Sequence, residues 1–201
     1  QSRNTACFTV MVGRRRIGKT SLLLESMKGE KFLYLFVSRK SEVLLCEQFQ
    51  QEIKDSLELE IFGNVTEFRI LFEQLMIYAT QTHFTLIIDE FQEFDNINSS
   101  IFSDIQNIWD RYQEQAKINF IACGSIYSMM KKIFENNKEP LFGRLTSKII
   151  LKPFSVSTIK EILKDYNPEY TSEDLLAFYL ITGGVAKYVA LLMEAGAVTF
   201  N

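Results

Sequence analysis

Apolar positions along this 201-residue chain fall into two alternating kinds of segment. Short, nearly continuous apolar runs occur at 7–12, 32–37, 84–88, 118–123 and 147–151. Such runs predict buried strands, because a strand covered on both faces has no polar side. Between them, apolar residues recur every three or four positions. Leu22, Leu23, Leu24 and Met27 lead into Gly29, which predicts a helix ended by a glycine. Ser41 can cap a helix carrying Leu45, Phe49 and Ile53, and Thr66 one carrying Phe68, Leu71, Phe72 and Leu75. Ile101, Ile105, Ile108, Trp109 and Tyr112 mark another. After Pro153 the pattern is helical throughout, at 156–165, 172–182 and 185–194. Strand–helix alternation predicts an α/β fold, with a parallel sheet between two helical layers. The change of pattern near Phe154 divides it into a core at 1–153 and a helical appendage at 154–201.

Composition narrows this picture by exclusion. The chain carries 22 Lys and Arg against 25 Asp and Glu, a formal charge of −3. That gives no general reason to expect nucleic-acid binding. Three cysteines, Cys7, Cys46 and Cys123, lack the spacing of a disulfide framework, and His83 is the only histidine available for a zinc site. A reducing, cytoplasmic setting is expected. No apolar run is long enough to span a bilayer, and no secretory signal is visible. The chain starts at Gln1 without an initiator Met, so its natural start is expected upstream.

Candidate chemistry begins where the first strand ends. Gly13-Arg14-Arg15-Arg16-Ile17-Gly18-Lys19-Thr20 fits the phosphate-loop pattern G-x-x-x-x-G-K-[ST]. The glycines let the backbone wrap an anion with its N–H groups, and the next helix points its positive end at the same place. Lys19 supplies a point charge for β- and γ-phosphates, and the Thr20 hydroxyl can ligate Mg²⁺. Residues 13 to 21, ending at Ser21, form the candidate nucleotide-binding set. Arg14, Arg15 and Arg16 fill variable positions, where solvated side chains are the default. The match follows a buried strand and opens a helix, which is its required context.

An acidic partner appears about seventy residues on. The apolar run from Phe84 ends in Asp89-Glu90, delivering two carboxylates to a strand's C-terminal end, where open α/β sheets bind ligands. Asp89 would hold the metal and Glu90 would act as general base on water. Ser125, at the end of the fourth strand, could sense a γ-phosphate, position water, or cap a helix over 126–136. Arg144 reads from its own neighbourhood as a surface arginine after a turn.

These motifs together resemble the archaeal-type ATPase family, also found in bacteria, in the STAND branch of AAA+-like P-loop ATPases. Further carriers of the resemblance are Gly124-Ser125, Pro140-Leu141-Phe142-Gly143-Arg144, Leu151-Lys152-Pro153-Phe154 and Thr182-Gly183-Gly184-Val185-Ala186-Lys187-Tyr188. The resemblance covers about Phe8 to Tyr188. It implies a P-loop NTPase three-layer sandwich with a five-stranded parallel sheet of order 5-1-4-3-2 and a small C-terminal helical lid. It also favours ATP as the nucleotide, while the paired motifs at 13–20 and 86–90 lead to an ATPase that uses Mg²⁺ and works as a slow conformational switch. Arg144 would face the nucleotide from its own subunit or a neighbour, and Gly183, Gly184 and Tyr188 would belong to the lid. Two departures stand out: an N-terminal Gly-Arg-Glu-type segment is absent, and Ala186 stands where proline is common. The family tends to continue into a further C-terminal domain, so the chain reads as a fragment. The alternatives are a nucleotide-binding module that needs a partner for turnover, and a DNA-associated ATPase acting through missing regions.

Overall fold

The computed structural model describes residues 5–199; the outermost residues of the two expected spans, 1–4 and 200–201, lie outside the described residues. Five strands, β1 (Cys7–Val12), β2 (Phe32–Phe36), β3 (Phe84–Asp89), β4 (Ile118–Gly124) and β5 (Ser147–Ile150), form one sheet. All neighbouring pairs are parallel, in the order β2-β3-β4-β1-β5. This is the expected 5-1-4-3-2 order read from the other edge.

Alternation of side chains sorts each strand between two cores of unequal size. Phe8, Val10 and Val12, with Leu33, Leu35, Leu86, Ile88, Phe120 and Ala122, enter the larger one. There they meet α2 (Glu42–Leu57), α3 (Phe68–Gln81), α5 (Ile101–Tyr112) and α6 (Tyr127–Glu135). Aromatic rings dominate this side: Phe8 stacks on Phe120 at 4.3 Å and lies 5.1 Å from Trp109. Met11, Ile87, Ile121 and Cys123 face the other way, onto Leu23 of α1 (Lys19–Ser26). Residue i and i+2 of one strand thus serve different layers, as the pleat requires.

Local signals explain most boundaries. Gly29, at φ +81°, follows α1. Ser41 caps α2 by accepting from Leu44 N–H at 3.5 Å. The expected Thr66 cap is corrected: the N-cap of α3 is Glu67, without a side-chain bond of its own. The Phe68 N–H is taken instead by Glu42 Oε1 at 2.8 Å, so a carboxylate from α2 replaces a local cap. A 3-10 turn, Phe91–Glu93, and the short α4 (Phe94–Ile97) follow β3 and were not expected from periodicity. Beyond β5, α7 (Val156–Tyr166), α8 (Ser172–Thr182) and α9 (Ala186–Glu194) pack around their own core of Ile159, Leu163, Phe178, Val189 and Met193. Phe154 N–H donates to Gly184 O at 2.8 Å, tying the start of this helical unit to the loop before α9. Among the described residues no helix is long and apolar enough to cross a membrane.

Candidate functional site

β1 ends at Val12, and residues 13–18 turn back over the sheet before α1 begins at Lys19. Gly13 N–H donates to Gly124 O at 3.4 Å, joining the start of this loop to the end of β4. Two residues take left-handed backbone, Arg16 at φ +67° and Gly18 at φ +95°. Gly18 is needed twice, because a Cβ there would also meet Ala186 Cβ at 3.3 Å. At Arg16 the conformation costs about 1–3 kcal/mol and must be held from outside. The holder is the start of α9. Lys187 N–H donates to Arg16 O at 3.1 Å, and the Arg16 guanidinium donates to Tyr188 Oη at 2.9 Å while lying over its ring.

Lys19 is buried, with Nζ donating to Gly13 O at 2.8 Å and Arg14 O at 3.2 Å. An ammonium has three donors, so at least one is left for an anion above the loop. Arg14, Arg15 and Ser21 are exposed, and the Ile17 side chain is buried.

Asp89 closes β3 beside this loop. Its Oδ2 accepts from Thr20 Oγ1 and from Tyr34 Oη, each at 2.8 Å, and its Oδ1 accepts from Glu90 N–H at 2.9 Å. Burial, then the bond to Asp89, pushes the Tyr34 phenol well above its usual range, so it stays a neutral donor. Burial and the Asp89 charge do the same to the Cys123 thiol. Glu90 sits at φ +53°, and its Oε2 accepts from Ser125 Oγ at 2.7 Å and Gln92 Nε2 at 2.5 Å.

These side chains fit Mg²⁺. A hydroxyl and a carboxylate, both hard oxygen donors, already touch, and Mg²⁺ commonly takes one or two protein oxygens with the rest from phosphate and water. No group of three His, Cys, Asp or Glu side chains among the described residues forms a self-sufficient cage, in keeping with that sharing. A separate surface cavity of about 430 Å³, lined by Arg39, Lys40, Asn96 and Ile97, shares no residue with the loop.

The family model described as an ATPase domain predominantly from Archaea matches residues 1–192. The chain belongs to this family. An uncharacterized protein of Methanocaldococcus jannaschii is 28% identical over 182 residues, covering 90% of this chain and 38% of its own. Two solved structures share the fold at low identity. The Walker-type ATPase of Pyrococcus abyssi has a TM-score of 0.69 and 16% identity, over 92% of this chain and 61% of that one. The ORC2 protein of Aeropyrum pernix, solved in ADPNP–ADP complexes, has a TM-score of 0.63 and 15% identity, over 98% and 58%. The chain therefore spans less than two thirds of each of these three proteins.

The ATPase fold brings Lys19, Thr20, Asp89, Glu90 and Ser125 together at the C-terminal ends of β1, β3 and β4. Two expectations need correction. Ser125 does not cap the following helix: the N-cap of α6 is Ile126 without a side-chain bond, and the Ser125 hydroxyl goes to Glu90. Arg144 does not face the nucleotide site of its own chain. The register sets Ser147 beside Thr9, which puts Arg144 below the start of β1. The six residues of β1 separate that level from Gly13 by about 20 Å, at about 3.3 Å per residue. There Arg144 makes a bidentate pair with Asp110 of α5, at 2.7 to 3.2 Å, and donates to Pro140 O and Phe142 O. Two neighbours of the site had not been singled out from sequence. Tyr34 read only as strand, and Gln92 read only as part of the family segment 86–92.

Proposed function

We propose that this chain binds ATP with Mg²⁺ at the loop 13–21 and hydrolyses it as a slow conformational switch. The observation that carries this reading is the contact between Thr20 Oγ1 and Asp89 Oδ2, with Glu90 next in the chain. It unites the two halves of a nucleotide site that lie 69 positions apart. When nucleotide binds, Lys19 exchanges its loop carbonyls for phosphate oxygens, and backbone N–H groups at the α1 start face the same anion. Thr20 and Asp89 would hold Mg²⁺, which offsets charge on the β- and γ-phosphates. Glu90 then takes a proton from the attacking water. The new oxygen–phosphorus bond forms as the bond from the γ-phosphorus to the β–γ bridging oxygen breaks, leaving ADP and inorganic phosphate. Arg16 and Tyr188 link the loop to α9, so a change at the loop reaches the helical lid, 154–201, first through them. Free thiols at Cys7, Cys46 and Cys123 favour a cytoplasmic setting.

One observation favours a second reading, a binding module that turns over only with a partner. Arg144 lies at the far end of its own sheet, so no arginine of the 140–144 segment supports the γ-phosphate in cis. In this reading a neighbouring copy presents it. Association with DNA, through regions beyond this chain, rests only on a likeness in fold to the ORC1 protein of Aeropyrum pernix, solved in complex with DNA, and adds no residue here.

The test is a calorimetric titration of ATP and Mg²⁺ into the wild type and Lys19→Ala, with phosphate release followed on the wild type and Glu90→Gln. The proposal expects binding that Lys19→Ala removes, and release that Glu90→Gln lowers about 10²–10⁴-fold. Release that appears only at high protein concentration would favour the second reading, and binding without release at any concentration would leave a module that needs a different partner. Absence of binding would sink both.

A further inference from the structure

Gln92 is fully buried, yet its Oε1 has no hydrogen-bond partner. A buried amide oxygen left unpaired is costly, and native chains keep few of them. Phe91 and Phe94 flank Gln92 in the large core, and the side chain lies under β4 against Met130. A Cβ built at Gly124 would stand 2.6 Å from Gln92 Oε1 and 2.4 Å from Met130 Sδ, so residue 124 is glycine partly to admit this amide. The other end of the amide explains its presence. Nε2 donates to Glu90 Oε2 at 2.5 Å, and a carboxylate can only accept, which fixes which way round the amide sits.

We infer that Gln92 is a positioning residue for Glu90, resting on the reading of Glu90 as general base. Gln92 Nε2 and Ser125 Oγ both bind the same oxygen, Oε2. Among the described residues Oε1 accepts no hydrogen bond, and that oxygen is the one left to take a proton from water. Two donors from different strands, one after β3 and one after β4, thus fix the rotation of a carboxylate whose own backbone is left-handed at φ +53°. Ser125 is half-exposed and its hydroxyl can turn. Gln92 is locked by packing and sets the direction.

The chain carries an orphaned oxygen to keep this donor, so the donor and the fold pull in opposite directions. Gln92→Leu removes both amide groups at similar volume. The expected result is a melting temperature equal to or above that of the wild type. ATP affinity should be kept, and kcat for phosphate release should fall about 10–100-fold. A merely structural glutamine would give the reverse: a lower melting temperature in Gln92→Leu with kcat unchanged. That result overturns the inference while leaving the hydrolase reading in place. If the wild type releases no phosphate while Lys19→Ala still abolishes ATP binding, the hydrolase reading fails, and the positioning role falls with it.

Discussion

At the end of the sheet where β1 and β3 finish, the polar side chains are bonded to groups that a ligand would take from them. Lys19 is bonded to its own loop carbonyls, and Thr20 to the carboxylate that would share a metal with it. Arg16, Gly18 and Glu90 hold left-handed backbone there, and Gln92 keeps an unpaired oxygen. At the opposite end, Arg144 has carboxylate and carbonyl partners around its whole guanidinium, and nothing in that arrangement awaits a ligand. The same five strands carry both ends. Left-handed backbone also occurs at Glu58 and an unpaired buried group at Trp109, so the difference teaches that provisional bonding, more than charge or strain alone, marks where this fold is built to act.

The sharpest break in that contrast should come from Tyr34→Phe. Its phenol donates to Asp89 beside the Thr20 hydroxyl and the Glu90 N–H, and the variant keeps the ring and its packing. Asp89 is then free to turn, so half-maximal turnover should require about tenfold more Mg²⁺, with ATP binding in the absence of metal little changed. Stability should fall by about 1 kcal/mol, the usual net worth of a lost hydrogen bond. A metal titration of phosphate release checks this, and an unchanged Mg²⁺ requirement would remove Tyr34 from the site.

Arg144→Ala probes the other end and should have a smaller effect of a different kind. The Arg144 and Asp110 side chains are 24% and 41% exposed, so the pair is screened, and the loss on chemical denaturation should be about 1 kcal/mol. ATP affinity in dilute protein should not move, because about 20 Å of strand separates the two ends. A weakened affinity there would break the separation argued above. If turnover of the wild type rises with protein concentration and the variant loses that rise, a neighbouring copy supplies the guanidinium.

The contrast also explains what could be read from sequence. The loop 13–20 and the 84–90 run are local: each is a strand pattern followed at once by its functional residues, so no tertiary knowledge is needed. Tyr34 is legible only after the sheet order is known. In β2, Leu33 and Leu35 turn to the large core while Phe32 and Tyr34 turn to the small one, and only the pairing of β2 with β3 brings that phenol to Asp89. Glu42 reaching Phe68 N–H, in place of the Thr66 cap, fails for the same reason: the partner comes from another helix. Arg144 is the converse. Its sequence neighbourhood suggested a turn at the surface, its family likeness suggested a place at the nucleotide, and the register of β5 on β1 decides for its own chain. Gln92 gave no such signal: in sequence it is one polar residue among Glu90, Glu93 and Asp95, and only the fold shows that it is fully buried beside Glu90.

A milder version of the contrast lies just beyond the site, where Arg39 pairs with Glu93 at 2.9 Å. The Glu93 carboxyl is held below its usual range, by the Arg39 hydrogen bond first and with help from Asn96, against an opposing effect of burial. A carboxyl with a depressed folded pKa stabilises the fold above its unfolded value of about 4.3, and that contribution is lost as pH falls through the folded value. Arg39→Ala should therefore lower the melting temperature slightly at pH 7, by about 2 °C or less, since the arginine side chain is largely exposed. The two melting curves should converge once the pH has fallen through the depressed folded value of Glu93, where it is protonated in both proteins. Nucleotide affinity should stay the same, because this pair, like Arg144 and Asp110, is bonded for the fold. Melting curves that stay parallel down the whole acid range, without converging, would mean that Arg39 acts through its packing and not through the Glu93 charge.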